Sequence, residues 1–318
     1  MNNAIAAATL AALLLFATNA GAQAYPSKPI RLVTGAVGGA NDLVARVLAQ
    51  GLTRSLGQPL VVDNRASGNI PAQIVANAPP DGYTLLVQAS TFWIGSLIQR
   101  TPYDPIRDFA PISFLVKAPN VLVVHPSVPA KTVRELIELA KARPGELNYA
   151  SGPLASSPHI AGELFKSMAG VNIVRIAYNG TGPALNALLG AHVQLSFPAA
   201  SAAMPHAVAG RLRALAVTSL EPSRLAAGVP TLAESGLPGF ESSSTQGAFA
   251  PARTPPAVVA RLNQEIVRFL NLPDVQAKLL SAGMETAPGT PEALTSLVKS
   301  EMARIGKLVR EAGLAAQP

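Results

Sequence analysis

The clearest chemical signal in the chain is the turn Gly35-Ala36-Val37-Gly38-Gly39-Ala40-Asn41-Asp42. It follows a short apolar segment, Ile30 to Thr34, and opens a helical pattern from Asp42 to Ser55. A strand that ends in glycines and turns into a helix aims unpaired backbone N–H groups at one point. The helix dipole adds partial positive charge there, so the chemistry on offer is anion binding. Tight turning and close packing would account for the glycines equally well. The spacing fails both nucleotide templates. Gly35, Gly38 and Gly39 do not make G-x-G-x-x-G, and no Lys follows as a phosphate loop requires. Asp63 ends the segment Leu60 to Val62, where a dinucleotide enzyme keeps its ribose-binding acid, so an oxidoreductase stays open at this point.

Groups for catalysis are sparse. The histidines are His125, His159, His192 and His206, and none forms an H-E-x-x-H helix motif. No G-x-S-x-G elbow occurs. Ser156-Ser157-Pro158-His159 places a Ser near a His, but a Ser before Pro is what a helix start needs. His159 falls in the first turn of that helix, where it either donates to a ligand or packs. Asp42 and Arg46 stand four apart and can pair on one helix face. No catalytic residue, metal ligand or cofactor is assigned, and the chain does not read as an enzyme.

The elements that would position these residues alternate. Strand candidates are Ile30–Thr34, Leu60–Val62, Thr84–Val87, Val121–Val124, Leu147–Ala150, Ile173–Ile176, Val193–Phe197 and Leu212–Val217. Helical patterns between them include Asp42–Ser55, Val133–Ala142, His159–Met168 and Ala184–Leu189. Alternation predicts an α/β fold with mostly parallel sheets, whose ligands bind beyond the carboxyl ends of strands. The C-terminal part differs: Pro256–Leu270, Asp274–Ser281 and Pro291–Ala312 read as helices with little strand between them. Two later turns repeat the logic of the first. Ser151-Gly152-Pro153 leads to the Ser156-Ser157 helix start, and Asn179-Gly180-Thr181-Gly182 leads to a helix at Pro183. Each alone is ordinary capping. Three such turns together point to one shared polar site.

Composition sets the compartment. Ala4 to Ala20 is apolar and uncharged, and Ala22-Gln23-Ala24 is an A-x-A cleavage signature, so a signal peptide over residues 1–24 and a mature start at Tyr25 are expected. That leader predicts export to the periplasm. The chain has no cysteine, which excludes disulfides, thiol catalysis and thiolate metal sites. The net charge is +7, with basic residues scattered and aromatics few. Nucleic-acid binding, which wants a basic stripe with stacking residues, is not expected. The positive balance can draw small anions toward a cleft.

At this point a set of ordered motifs resembles a known family over nearly the whole mature chain. They include Tyr25-Pro26-Ser27-Lys28-Pro29-Ile30, Gly38-Gly39-Ala40-Asn41-Asp42, Val61-Val62-Asp63-Asn64-Arg65 and Pro80-Asp81-Gly82-Tyr83. Asn148-Tyr149-Ala150-Ser151-Gly152, Tyr178-Asn179-Gly180-Thr181-Gly182, Pro230-Thr231-Leu232-Ala233-Glu234 and Gly247-Ala248-Phe249 continue the series. The chain resembles the Bug family, periplasmic substrate-binding proteins of tripartite tricarboxylate transporters.

The resemblance implies an α/β, type II-like periplasmic binding protein of two domains joined by crossing strands, with the ligand closed between them. The expected boundaries are 25–121 with 248–318 for one domain, and 122–247 for the other. It implies that a small organic acid is captured as a di- or tricarboxylate or a related acid. The carboxylates would be held by backbone N–H groups, hydroxyls and water. Carried over, Gly38, Gly39, Asn41 and Asp42 form one wall, with Ser90 and Thr91 a weaker addition. Ser151, Gly152, Ser156, Ser157, His159, Asn179 and Gly180 form the other. The implied partners are membrane permease subunits, for a protein acting as a monomer; the alternative is a component that presents its ligand to a membrane sensor. The loop Asn64-Arg65-Ala66-Ser67-Gly68 and the turn before Gly38 depart from the family pattern, as does Thr245-Gln246 where a Trp is common.

Overall fold

The computed structural model describes residues 25–65, 68–154 and 156–311; the expected leader lies outside them. The first half of the chain runs β1 (Ile30–Thr34), α1 (Ala40–Leu56), β2 (Leu60–Asn64), α2 (Ile70–Ala76), β3 (Thr84–Ala89), α3 (Thr91–Ile98), β4 (Phe109–Pro119) and β5 (Val121–Val124). It continues with α4 (Val133–Ala142), β6 (Asn148–Ser151), α5 (Ser157–Ala169), β7 (Val174–Ala177), α6 (Thr181–Leu189), β8 (Leu195–Ser196), α7 (Ala200–Val208) and β9 (Arg213–Val217). The last part is β10 (Ser243–Pro251), α8 (Pro256–Leu270), α9 (Pro273–Ser281), β11 (Glu285–Thr286) and α10 (Pro291–Glu311).

These strands form two sheets, in the orders β11-β4-β10-β3-β1-β2 and β7-β6-β8-β5-β9. Alternation along each strand sends successive side chains to opposite faces, so each sheet needs helices on both. In the first sheet Ile30, Leu32, Leu85 and Val87 pack with Val44 and Leu48 of α1 and Leu262 and Ile266 of α8. On the other face Val33, Leu86 and Phe249 meet Val75 of α2, Trp93 of α3, and Leu294 and Val298 of α10. The second sheet repeats this, with Leu136 and Phe165 of α4 and α5 on one face and Leu185 and Ala203 of α6 and α7 on the other. The result is the two-lobed α/β fold expected, but the sheets are mixed where mostly parallel ones were expected: β10 and β11 pair antiparallel in the first, and β5 pairs antiparallel with β8 and β9 in the second.

The expected strands and helices are all present, with ends shifted by a few residues. The two longest strands, β4 and β10, carry no clear pattern. They pair antiparallel from Ser243↔Pro119 to Pro251↔Phe109, with irregularities at Gln246/Gly247 and Ala248/Phe249. Prolines at both ends and burial on both faces hide their alternation. They are also the chain's route between the sheets. Asn120 alone separates β4 from β5. Its N–H donates to Thr218 Oγ1 (2.9 Å), and the Thr218 hydroxyl donates to the Ser242 carbonyl (2.7 Å). Both crossings therefore meet in one buried knot. No helix among the described residues is long and apolar enough to cross a membrane.

The C-terminal helix is anchored by a buried polar contact. Trp93, the chain's one tryptophan, is fully buried on α3. Its Nε1–H donates to Glu301 Oε2 of α10 at 2.6 Å. Burial raises the Glu301 carboxyl from 4.5 to about 7, against the lowering effects of the Trp93 bond and Arg304. An acid with a raised folded pKa supports the fold below its unfolded value and loses that support as pH rises through the folded one. We therefore expect stability to fall between about pH 5 and pH 8. Glu301→Gln, which keeps an acceptor for Trp93, should flatten that limb and add roughly 1–3 kcal/mol at the alkaline end. Urea titrations at the two pH values check this; parallel pH slopes for parent and variant would refute it.

Candidate functional site

The first wall is organised by Asp42, which sits in the first turn of α1 and is 3% exposed. Its Oδ2 accepts the Gly38 N–H (2.8 Å), and its Oδ1 accepts Asn64 Nδ2 (2.9 Å) and Arg46 Nε (2.9 Å). Asn64 Nδ2 also donates to the Gly35 carbonyl (2.9 Å). Burial pushes the Asp42 pKa up, but the bonds from Gly38, Arg46 and Asn64 lower it further, so the group stays ionised below the usual carboxylate range. Asp42 braces the turn, and its carboxylate faces its own loop. The Gly38 and Gly39 N–H groups are engaged as well, by Asp42 and by the Ala36 carbonyl (3.3 Å). The glycines give shape: Gly38 has φ +80°, which disfavours other residues. The N–H groups of Ala40, Asn41 and Asp42 have no acceptor among the described residues. The open donors thus lie just past the glycines.

The second wall has its own brace. Arg175 Nε donates to Ser151 Oγ (2.7 Å) and its NH2 group to the Gly152 carbonyl (2.8 Å). Ser151 and Gly152 therefore tie β6 to β7 by way of Arg175. His159 is buried at 2% exposure. Burial lowers its pKa to about 4, helped by Arg175, so the ring is neutral near pH 7. Glu163, one turn on from His159, accepts from Tyr149 (2.6 Å) and pairs with Lys166 (2.9 Å). No group of His, Asp and Glu able to hold a metal is found among the described residues. Asp63 lies between Arg31 and Arg65 in ion pairs, which answers the ribose-binding possibility: its oxygens already have cationic partners.

Two chambers lie beside the 35–41 turn. One, of about 460 Å³, is where helices begin. Gly38 to Ala40 come from the start of α1, Ser157 and Pro158 from α5, Thr181 from α6, and Ala199 and Ser201 from α7. Asn120 and Met284 also line it. Asn120 Nδ2 donates to Ser157 Oγ (2.6 Å), linking the inter-sheet knot to the α5 start. The other chamber, of about 440 Å³, holds Asn41, Gln88, Thr91, Gln99, Tyr103 and Ser156 among its lining. Among the described residues, no Asp, Glu, Lys, Arg or His lines either chamber.

Of the residues expected at the site, Gly38, Gly39 and Ser157 line the helix-start chamber, and Asn41, Thr91 and Ser156 line the other. Asp42, Ser90, Ser151, Gly152, His159, Asn179 and Gly180 line neither. Asp42, Ser151 and Gly152 brace the turns; Ser90 is buried with its N–H on the Thr245 carbonyl (2.7 Å). Asn179 and Gly180 immediately precede Thr181, and Asn179 is exposed. Among the lining residues without an expectation attached are Gln88, Asn120 and Ser201. Gln88 had a signal, since it lies at the carboxyl end of β3 where α/β sheets bind ligands. Asn120 is a polar residue between two apolar strands; Ser201 sits in an Ala/Ser run that gives no cue.

Residues 44–314 match the model of the tripartite tricarboxylate transporter family receptor. The protein BugT of Bordetella pertussis is 36% identical over 316 residues, covering 96% of this chain and 97% of its own. Among solved structures, an R. palustris protein with adipate is 37% identical with a TM-score of 0.73, over 92% of this chain and all of that one. MatC from Rhodopseudomonas palustris with bound malate is 30% identical, with a TM-score of 0.68, over 90% of this chain and 100% of its own.

The Asp42 network yields a direct test. Asp42→Asn puts a donor among the Gly38, Asn64 and Arg46 donors and should destabilise the fold by about 2–4 kcal/mol in urea unfolding. The contribution of Asp42 is complete above its ordinary 3.8 and is lost as pH falls through its lowered folded value. The variant should therefore show a shallower acid limb. A loss under about 0.5 kcal/mol would remove Asp42 as the brace.

Proposed function

This chain belongs to the tripartite tricarboxylate transporter family of receptors, and we propose that it captures a small organic acid in the periplasm for a membrane permease of that transporter type. The leader expected over residues 1–24 exports it. Because all of β10 pairs in the first sheet and all of β5 in the second, residues 25–119 with 243–311 make one lobe and 121–242 the other, a few residues from the expected bounds of 25–121 with 248–318 and 122–247. The acid enters between them, the lobes close about the Asn120–Thr218–Ser242 knot, and the closed monomer docks on its permease.

One observation carries this reading: the starts of α1, α5, α6 and α7 converge on a chamber free of charged side chains. Helix starts present unpaired N–H groups and partial positive charge, which suit a carboxylate. Each hydrogen bond to a charged group contributes about 1.5–3 kcal/mol. Micromolar affinity corresponds to about −8 kcal/mol. Four to six such bonds, less the cost of ordering and closure, reach that range without Arg or Lys. The adipate and malate of the two solved relatives are both carboxylates, which supports the same ligand class here.

Thermal shift and calorimetry with a panel of mono- and dicarboxylates test the reading. At least one acid should bind with roughly micromolar affinity. Thr181→Asp separates ligand repulsion from damage to the fold. An acidic residue at the start of α6 favours the helix by about 0.3–1 kcal/mol, yet its charge faces the ligand carboxylate. Binding should weaken by about a hundredfold while unfolding stability holds or rises. If the whole panel fails to bind, or the variant binds as the parent does, the proposal is wrong.

A further inference from the structure

The second chamber has a hydrogen-bonding pattern that a carboxylate cannot satisfy in full, because an acceptor stands among its donors. Asn41 Nδ2 donates to Gln88 Oε1, and the Ala89 N–H donates to the same oxygen at 3.3 Å. The backbone donor fixes which end of the Gln88 amide is oxygen, and that in turn fixes Asn41 as the donor. What remains is the acceptor Asn41 Oδ1 together with three N–H groups, two on Gln88 Nε2 and the second on Asn41 Nδ2. None of these has a partner among the described residues. Gln88 is 8% exposed, so the donor is held in place by a buried stem. From the other lobe, Ser156 Oγ is buried without a hydrogen-bond partner among the described residues, so it can turn to a ligand without breaking a bond to any of them.

We infer that this chamber receives the uncharged end of a monocarboxylate, a group with both a donor and an acceptor such as a carboxamide or a hydroxyl. The inference rests on the carboxylate reading for the helix-start chamber. A carboxamide places its carbonyl on Gln88 Nε2 and its N–H on Asn41 Oδ1, satisfying both. A second carboxylate accepts from Gln88 but has nothing to donate to Asn41 Oδ1, and it must shed its hydration in a chamber with no cationic side chain. The start of α3 at Thr91 offers a second carboxylate partial positive charge. Against it stands the unpaired Asn41 oxygen in the same space.

The test compares linear diacids with their own monoamides and with the matching ω-hydroxy acids, by calorimetry on the full mature chain. A monoamide or hydroxy acid should bind roughly tenfold or more tighter than its parent diacid. Ser156→Ala should leave the unfolding midpoint in place, since no bond is lost, and weaken that ligand about fivefold. Gln88→Met should bring the monoamide and the diacid to within about threefold of each other. Diacids that bind as well as or better than their monoamides would overturn this inference and leave the carboxylate reading standing. Failure of every acid in the series to bind would overturn both.

Discussion

The cleft depends on a constraint that most folds avoid: several backbone N–H groups must be left without partners while the loops that present them stay rigid. Asp42 resolves this for the first wall. Its carboxylate collects the Gly38 N–H, Asn64 and Arg46, so the turn is rigid without using the donors of Ala40 to Asp42. Arg175 does the matching work in the second lobe from the opposite charge, gathering Ser151 Oγ and the Gly152 carbonyl. In each wall the ionised side chain stabilises the scaffold, and neutral groups face the ligand space. A chain of net charge +7 can thereby have a chamber of helix starts with no cation lining it among the described residues. Such a chamber avoids the desolvation of a buried Arg or Lys.

Much of the architecture was legible because it rests on local signals. Apolar segments such as Ile30–Thr34 and Val121–Val124 are strands as written, and Val133–Ala142 and Pro256–Leu270 are helices to the residue. The β4–β10 pair was not legible, because its residues are chosen by contacts far apart in sequence and its prolines read as breaks. At the site, the three turns were visible through glycine, serine and helix starts. Which atoms in them stay open was not. Gly38 and Gly39 look like donors until Asp42 and the Ala36 carbonyl are placed beside them. That is a matter of tertiary hydrogen bonding, which neither spacing nor residue type encodes. Trp93 likewise follows the carboxyl end of β3, where α/β sheets bind ligands, yet its side chain is buried against Glu301.

The knot at Asn120 has a mechanical consequence. One residue separates β4 from β5, and the returning chain is tied to that residue through Thr218 and Ser242. Both covalent crossings thus pass through nearly one point, and neither has slack. Two bodies joined this way would swing about that point, like covers on a single spine, more readily than they would slide or shear. Asn120 also holds Ser157 at the α5 start, so the pivot is itself part of the chamber wall. A ligand seated there touches the axle as well as the jaws. The width of its body, more than its charge, would then set the angle at which the two covers come to rest.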